Sequence, residues 1–194
     1  MNALRYAACL TLLACLLPPA PVAAAGTHTY VADPRHSSAQ FTITHLGLSH
    51  VRGVIPIASA VVVAATPQLP DKIDATLDAG GVDTRNDTRD ADLKSPHFFD
   101  AAQFPTLKFA STSIAAVDAK HFTVAGNLTL HGVTRPVTLK ATFLGQITGQ
   151  RGDVHVAYEA ITSIKRSDFG MTYGPIVAGD DVDVDIDIEA IEKP

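Results

Sequence analysis

The sequence has only two cysteines, Cys9 and Cys15, and both fall within its first 25 residues. The stretch from Gly26 to Pro194 therefore has no disulfide, no thiolate metal site and no cysteine nucleophile. A domain made from it must be stable on its own core, and with 194 − 25 = 169 residues a single domain can bury enough surface to manage that. Basic excess is missing too. Without Arg5, the lone charge of the first 25 residues, 14 lysines and arginines face 20 aspartates and glutamates, a net −6. That balance excludes the basic face a nucleic-acid partner wants and argues against electrostatic docking on anionic lipid. After the N-terminal region no apolar run approaches the roughly 20 residues needed to span a bilayer, so stable membrane insertion by a helix is not expected.

Enzyme signatures are equally scarce. Gly47 to Val51 (GLSHV) begins like a nucleophile elbow, but Val51 stands where glycine is required and no helical pattern follows. There is no H-E-x-x-H, no phosphate-binding loop and no dinucleotide fingerprint. The eight histidines are dispersed, and only His45 and His50, framing HLGLSH, are close enough to converge in a loop. No catalytic residue, metal site or cofactor is therefore expected.

The N-terminal residues read as an export signal. Arg5 is followed by an apolar run from Tyr6 to Leu17, then by the small residues Ala23, Ala24 and Ala25, the order of a secretory signal peptide cleaved after Ala25. Cys15 within LLAC offers a weaker lipoprotein alternative, since the apolar run continues past it. The expected domains are a signal segment, 1–25, and one exported domain, 26–194, in the periplasm or secreted.

What is abundant is alternation. In DDVDVDIDIEAIE, Val182, Val184, Ile186, Ile188 and Ala190 alternate with Asp181, Asp183, Asp185, Asp187 and Glu189. Alternate residues of a strand point to opposite faces, so this strand has one apolar face and one face of carboxylates. A calcium site would wrap its ligands around one point, which an extended row does not do. The same period recurs at Ala39, Phe41 and Ile43, at Ile73, Ala75 and Leu77, at Leu107 and Phe109, and at Phe122, Val124, Leu128 and Leu130. It continues through Val137, Leu139, Ala141 and Phe143, then Val154, Val156 and Tyr158. Short one-sided strands separated by turn residues predict an antiparallel sandwich or barrel.

One segment departs from this pattern. From Thr84 to Asp100, Asn86 suits a helix N-cap, Asp87 and Asp90 its positive end and Lys94 its negative end, with Pro96 as the stop. A short helix is predicted there, with Phe98 and Phe99 turned inward. Val61 to Pro70 (VVVAATPQLP) reads as a variant loop.

Periodicity leaves two interiors open, because a sandwich packs its apolar face dry whereas a closed barrel of about eight strands can hold a ligand inside. Four blocks bear on the choice: HSSAQFTITHLGLSHVRG, NDTRDADLKSPHFFDAAQFPTLKF, GNLTLHGVTRPVTL and IKRSDFGM. In that order they resemble the signatures of the YceI-like polyisoprenoid-binding family. By position, Arg89, Asp90, Leu93, Ser95, Phe98, Phe99 and Asp100 match its helix block. Gly126, Leu128, Leu130, His131, Gly132, Thr134 and Pro136 match its hairpin block, and Asp92 stands where a histidine is expected.

The resemblance implies an all-β, lipocalin-like antiparallel barrel with a short helix near its mouth, exported, and holding a polyisoprenoid or other long-chain amphiphile for transport, storage or sequestration. The apolar lining would be drawn from Phe41, Ile43, Leu77, Phe98, Phe109, Phe122, Val124, Leu128, Leu130, Leu139, Phe143, Val156, Tyr158, Val184, Ile186 and Ile188. Arg52, Arg89, His131 and Arg166 are the candidates for a polar head. Two other readings stand beside this one: a hydrolase or isomerase acting on a bound lipid, and a ligand-free structural or interaction barrel. Self-association as a homodimer is compatible with all three.

Overall fold

Alternation becomes strand along most of the described residues. The computed structural model describes residues 26–194; the expected signal segment, its cleavage point and Cys15 lie outside the described residues. The strands are β1 (His28–Ala32), β2 (Ser38–His45), β3 (Ser49–Ile55), β4 (Ile57–Ala64) and β5 (Lys72–Asp78), then helix α1 (Asp87–Lys94). After it come β6 (Thr106–Ala116), β7 (His121–Leu130), β8 (Val133–Thr148), β9 (Val154–Lys165) and β10 (Ala178–Glu192).

Every pairing between them is antiparallel. Eight strands form a closed ring in the order β1-β4-β5-β6-β7-β8-β9-β10, shut by the pairing of β10 with β1. The long strand β10 is the seam. One edge lies along β9; the other holds β2 from Ala178 to Asp187 and then β1 from Ala190 to Glu192. The β2–β3 hairpin is thus an extension of the wall beyond the eight-strand ring. Within the segment Val61–Pro70, Val61 to Ala64 are strand rather than loop, paired with β1 and β5. Their unbroken apolar run hides the period: Val62 and Ala64 are buried inside while Val61 and Val63, equally apolar, stand half-exposed on the outer face.

Local chemistry sets the turns and the helix. Between β7 and β8 only His131 (φ 51°) and Gly132 (φ 73°) remain, a two-residue turn with both residues left-handed, which matches the twist of a tight hairpin. The side chain of Asn86 accepts a hydrogen bond from the Arg89 amide at 3.0 Å and so caps α1. Asp90 is spent differently from the expected dipole role. Burial pushes its carboxyl up, but hydrogen bonds from the Thr84 hydroxyl and amide outweigh that and hold it below its ordinary value. This pins the helix to the chain leading into it.

The two ends of the barrel differ. At the end remote from α1, Tyr30, Ala64, Phe143, Val156, Tyr158 and Ala190 are buried together. Phe122 and Phe143 meet the Tyr158 ring at centroid distances of 6.2 and 5.7 Å. Large rings of this kind contribute roughly 1.5–3 kcal/mol each when fully buried, so this plug is a main source of core stability. At the α1 end a second cluster, with Ile55, Val82, Leu107, Leu130, Phe169 and Met171, packs against Leu93 and Phe99. Between the clusters, Val182, Val184, Ile186 and Ile188 face inward yet keep partial exposure, because they border a cavity rather than packed side chains.

Phenylalanine rings roof two inward glycines, Gly53 under Phe41 and Gly126 under Phe109. A Cβ on Gly126 would collide with the Phe109 ring and lie 2.7 Å from the Ala110 carbonyl oxygen, a backbone atom that cannot step aside. Gly126→Ala is expected to cost about 1–3 kcal/mol, the usual penalty of overpacking, read as a lower midpoint in denaturant unfolding. A second expectation concerns pH. His155 lies between Asp153 (2.6 Å) and Glu189 (2.9 Å), and these hydrogen bonds raise its imidazole above the ordinary value. A group raised on folding contributes stability that is full below its unfolded pKa and is lost as pH rises through its folded one. Melting temperature should therefore fall from slightly acidic toward alkaline pH, and His155→Gln should flatten that decline.

Candidate functional site

The inward face of the ring encloses a cavity of about 360 Å³, within the roughly 300–1,000 Å³ usual for small-molecule pockets. It extends from Tyr158 and Val62 at the plugged end to Phe98, Phe99 and Val177 beside α1. Its wall is almost wholly aliphatic and aromatic because every strand turns its apolar alternates toward the axis. Val184 stands between Phe41 on β2 and Thr162 on β9, and Ile186 between Ala39 and Ala160. The small residues Ala75, Ala141 and Ala160 on the same wall leave the width.

All the apolar residues singled out from the sequence line this cavity except Phe143 and Val156. Those two face inward as their period requires, but belong to the plug below it. Tyr158 lies on the boundary. Its hydroxyl donates to the Pro67 carbonyl at 2.8 Å, tying the 65–71 loop across the barrel end, and burial pushes the phenol above its ordinary value. Several wall residues stand outside the lining candidates drawn from the sequence. Val182, Ile73 and Ala75 belong to the alternation read there and line the cavity with their neighbours; Met171 and Val177 sit in an irregular loop with no period to reveal them.

The four polar candidates separate. Arg52 lies on the outer face of β3, exposed and away from the cavity, and His131 is the turn residue whose ring bonds the Phe169 carbonyl at 3.1 Å. Arg89 and Arg166 both reach the cavity wall.

Arg166 is only 4% exposed, and its guanidinium donates to four backbone carbonyls: Gly179 (2.8 Å), Met171 (2.7 Å), Tyr173 (2.9 Å) and Ala178 (2.9 Å). A guanidinium has five N–H donors, so Arg166 is nearly saturated and serves to shape the 171–179 loop. Arg89 uses two donors on the Thr84 hydroxyl (2.8 Å) and carbonyl (2.9 Å) and, among the described residues, makes no ion pair. Asp92, also at the mouth, is held by His97 at 3.0 Å. Nothing here assembles a metal centre: no group of three or more metal-ligating side chains occurs among the described residues. No helix among them is long and apolar enough to cross a membrane.

Comparison with known proteins agrees with this architecture. Residues 30–190 match the YceI-like domain. The YceI protein of Salmonella arizonae is 32% identical over 182 residues, covering 93% of this chain and 95% of that one. Among solved structures, the YceI protein of Campylobacter jejuni superposes with a TM-score of 0.69 at 30% identity, over 78% of this chain and 90% of that one. A polyisoprenoid-binding domain from Saccharophagus degradans superposes at 0.58 with 18% identity, over 85% and 98%, a likeness of fold. A closed antiparallel ring, a capped helix beside its mouth and a match over nearly all the described residues lead to one conclusion: the chain belongs to the YceI-like family.

Proposed function

We propose that this protein binds one long apolar chain, a polyisoprenoid or comparable amphiphile, inside the barrel, as a binding protein rather than an enzyme. The observation that carries the reading is the cavity, hollow and apolar at mid-barrel and plugged at one end. A hydrocarbon chain asks nothing of its site but the exclusion of water, and each buried methylene contributes roughly 0.8 kcal/mol. The solved Saccharophagus domain of the same fold, described as polyisoprenoid binding, supports the same ligand class. A lipid hydrolase or isomerase would instead need a nucleophile and base converging on the bound molecule; no serine or cysteine among the described residues lines this wall, and its Tyr158, Asp92 and Arg166 side chains are held by structural partners. A solid structural barrel would have no such cavity.

At the mouth we assign the polar head to Arg89, whose three unused donors suit an oxygen-rich group such as a phosphate. The export reading completes the proposal: with residues 1–25 as a signal removed after Ala25, the protein would carry, store or sequester its lipid in the periplasm or outside the cell. Native mass spectrometry of protein from its own host, with extraction of what it holds, tests the whole reading. A stoichiometric long-chain isoprenoid or amphiphile is expected; protein that arrives empty and refuses added polyprenyl alcohol would reject it.

Two substitutions sharpen the test. Ala160 faces the cavity and its neighbour Ile161 faces outward. Ala160→Phe should block uptake of a polyprenyl alcohol, while Ile161→Ala leaves it unchanged, as measured by titration followed by native mass. Arg89→Met should weaken binding of a polyprenyl phosphate about tenfold, equivalent to roughly 1.4 kcal/mol, with little effect on the alcohol, in a competition assay.

A further inference from the structure

Of the eleven large apolar side chains that stay exposed among the described residues, five gather at one place, the α1 end of the barrel: Leu46, Leu48, Tyr173, Ile176 and Val177. Leu48 and Ile176 are 87% and 85% exposed, extreme values for such residues. They belong to the β2–β3 turn and to the loop before β10, which are joined by the Leu46 amide donating to the Val177 carbonyl at 2.9 Å. Val177 also lines the cavity, as do His45 and Ala178 beside these residues, so the exposed patch and the tunnel wall form one continuous apolar surface.

We propose that this rim docks reversibly on the surface of a lipid bilayer with zwitterionic headgroups, so that an apolar chain passes between bilayer and barrel without crossing water. The inference rests on the lipid-binding reading above. Three observations favour a bilayer over a protein partner. From Met171 to Gly179 and from Leu46 to Ser49 there is no charged residue, and the chain's acidic balance gives no electrostatic hold on anionic lipid. Much of the rim's backbone is paired from within. Arg166 takes the carbonyls of Met171, Tyr173, Ala178 and Gly179, the amides of Val177 and Ala178 take Gly174, and Leu46 takes Val177. Backbone with internal partners can leave water at little cost, the condition that lipid imposes and a polar protein interface does not. Tyr173, stacked on His97 with ring centroids 4.0 Å apart, places an amphipathic ring beside the aliphatic tips, the residue type favoured at the headgroup level.

The test is co-flotation of the protein with phosphatidylcholine vesicles, at low and at high salt, beside the double variant Leu48→Ser with Ile176→Ser. Both side chains are almost free of contacts, so the variant keeps the fold. Wild type is expected to float equally at both salts, and the variant about tenfold less, while both take up polyprenyl alcohol presented in detergent micelles. Absence of flotation by wild type, or equal flotation by the variant, overturns the inference. So does light scattering that shows a wild-type dimer converted to monomer by the variant, for then a second copy covers the rim. Loss of micellar uptake in wild type with rim-dependent flotation intact would remove the cavity reading and leave the docking surface standing.

Discussion

A barrel whose own side chains leave a cavity at its centre cannot be held together by packing there, so the closed backbone ladder is the constraint on which everything else depends. Strand β10 closes it. Along one edge it pairs with β9 over its whole inner course; along the other it takes β2 and then β1, so a single strand joins both ends of the ring. Its alternation makes that placement workable. Aspartates on the outer face stay in water, and the valines and isoleucines opposite them build the cavity wall. The ring leaves no unpaired edge among its eight strands, which frees the interior from the need to be solid.

The distribution of packing then gives the barrel a direction. Phe122, Phe143, Tyr158 and Tyr30 fill the end remote from the helix, and the Tyr158 hydroxyl holds the 65–71 loop over it. At the other end the packing is peripheral: α1, the 166–169 turn and the chain after it surround the mouth without filling it. Arg166 is the clearest sign that this end is shaped. A buried guanidinium without a carboxylate partner is costly unless its donors are all but satisfied, and here four carbonyls, two in the loop before β10 and two at the start of β10, satisfy it. The loop it orders also carries the exposed apolar tips, so the same side chain both lines the tunnel and holds its rim.

How much of this could be read from the chain alone depends on which variable is asked for. Period two showed which face each residue takes, and residues as far apart as Phe41, Leu128 and Ile186 do turn to one interior. Period says nothing of depth. Phe143 and Val156 obey it as faithfully as Tyr158 yet lie in the plug, because their distance along the axis is set by register with β9, β10 and β8, a non-local quantity. Val61 to Ala64 lack alternation and so were invisible as strand until their partners β1 and β5 were known. The Asn86 cap was legible because capping is a local act, whereas the role of Asp90 required knowing that Thr84 folds back on it. Ring closure through β1 and β10 joins the two extremes of the described residues, and no local pattern encodes it. Arg166 was noticed as a cation, but carbonyls in an irregular loop leave no mark in a sequence.

The central claim is that a hydrocarbon chain occupies the middle of this barrel between the plug and the mouth. A crystal structure of the protein grown with a long-chain alcohol brominated at its far end tests it most directly, because anomalous scattering locates the bromine without interpretation of weak density. The account predicts a bromine peak deep in the barrel near Phe122 and Tyr158, with the alcohol oxygen toward Arg89. Bromine on the outer face of the sheet, or an interior that stays empty while the alcohol saturates the protein in solution, would contradict it.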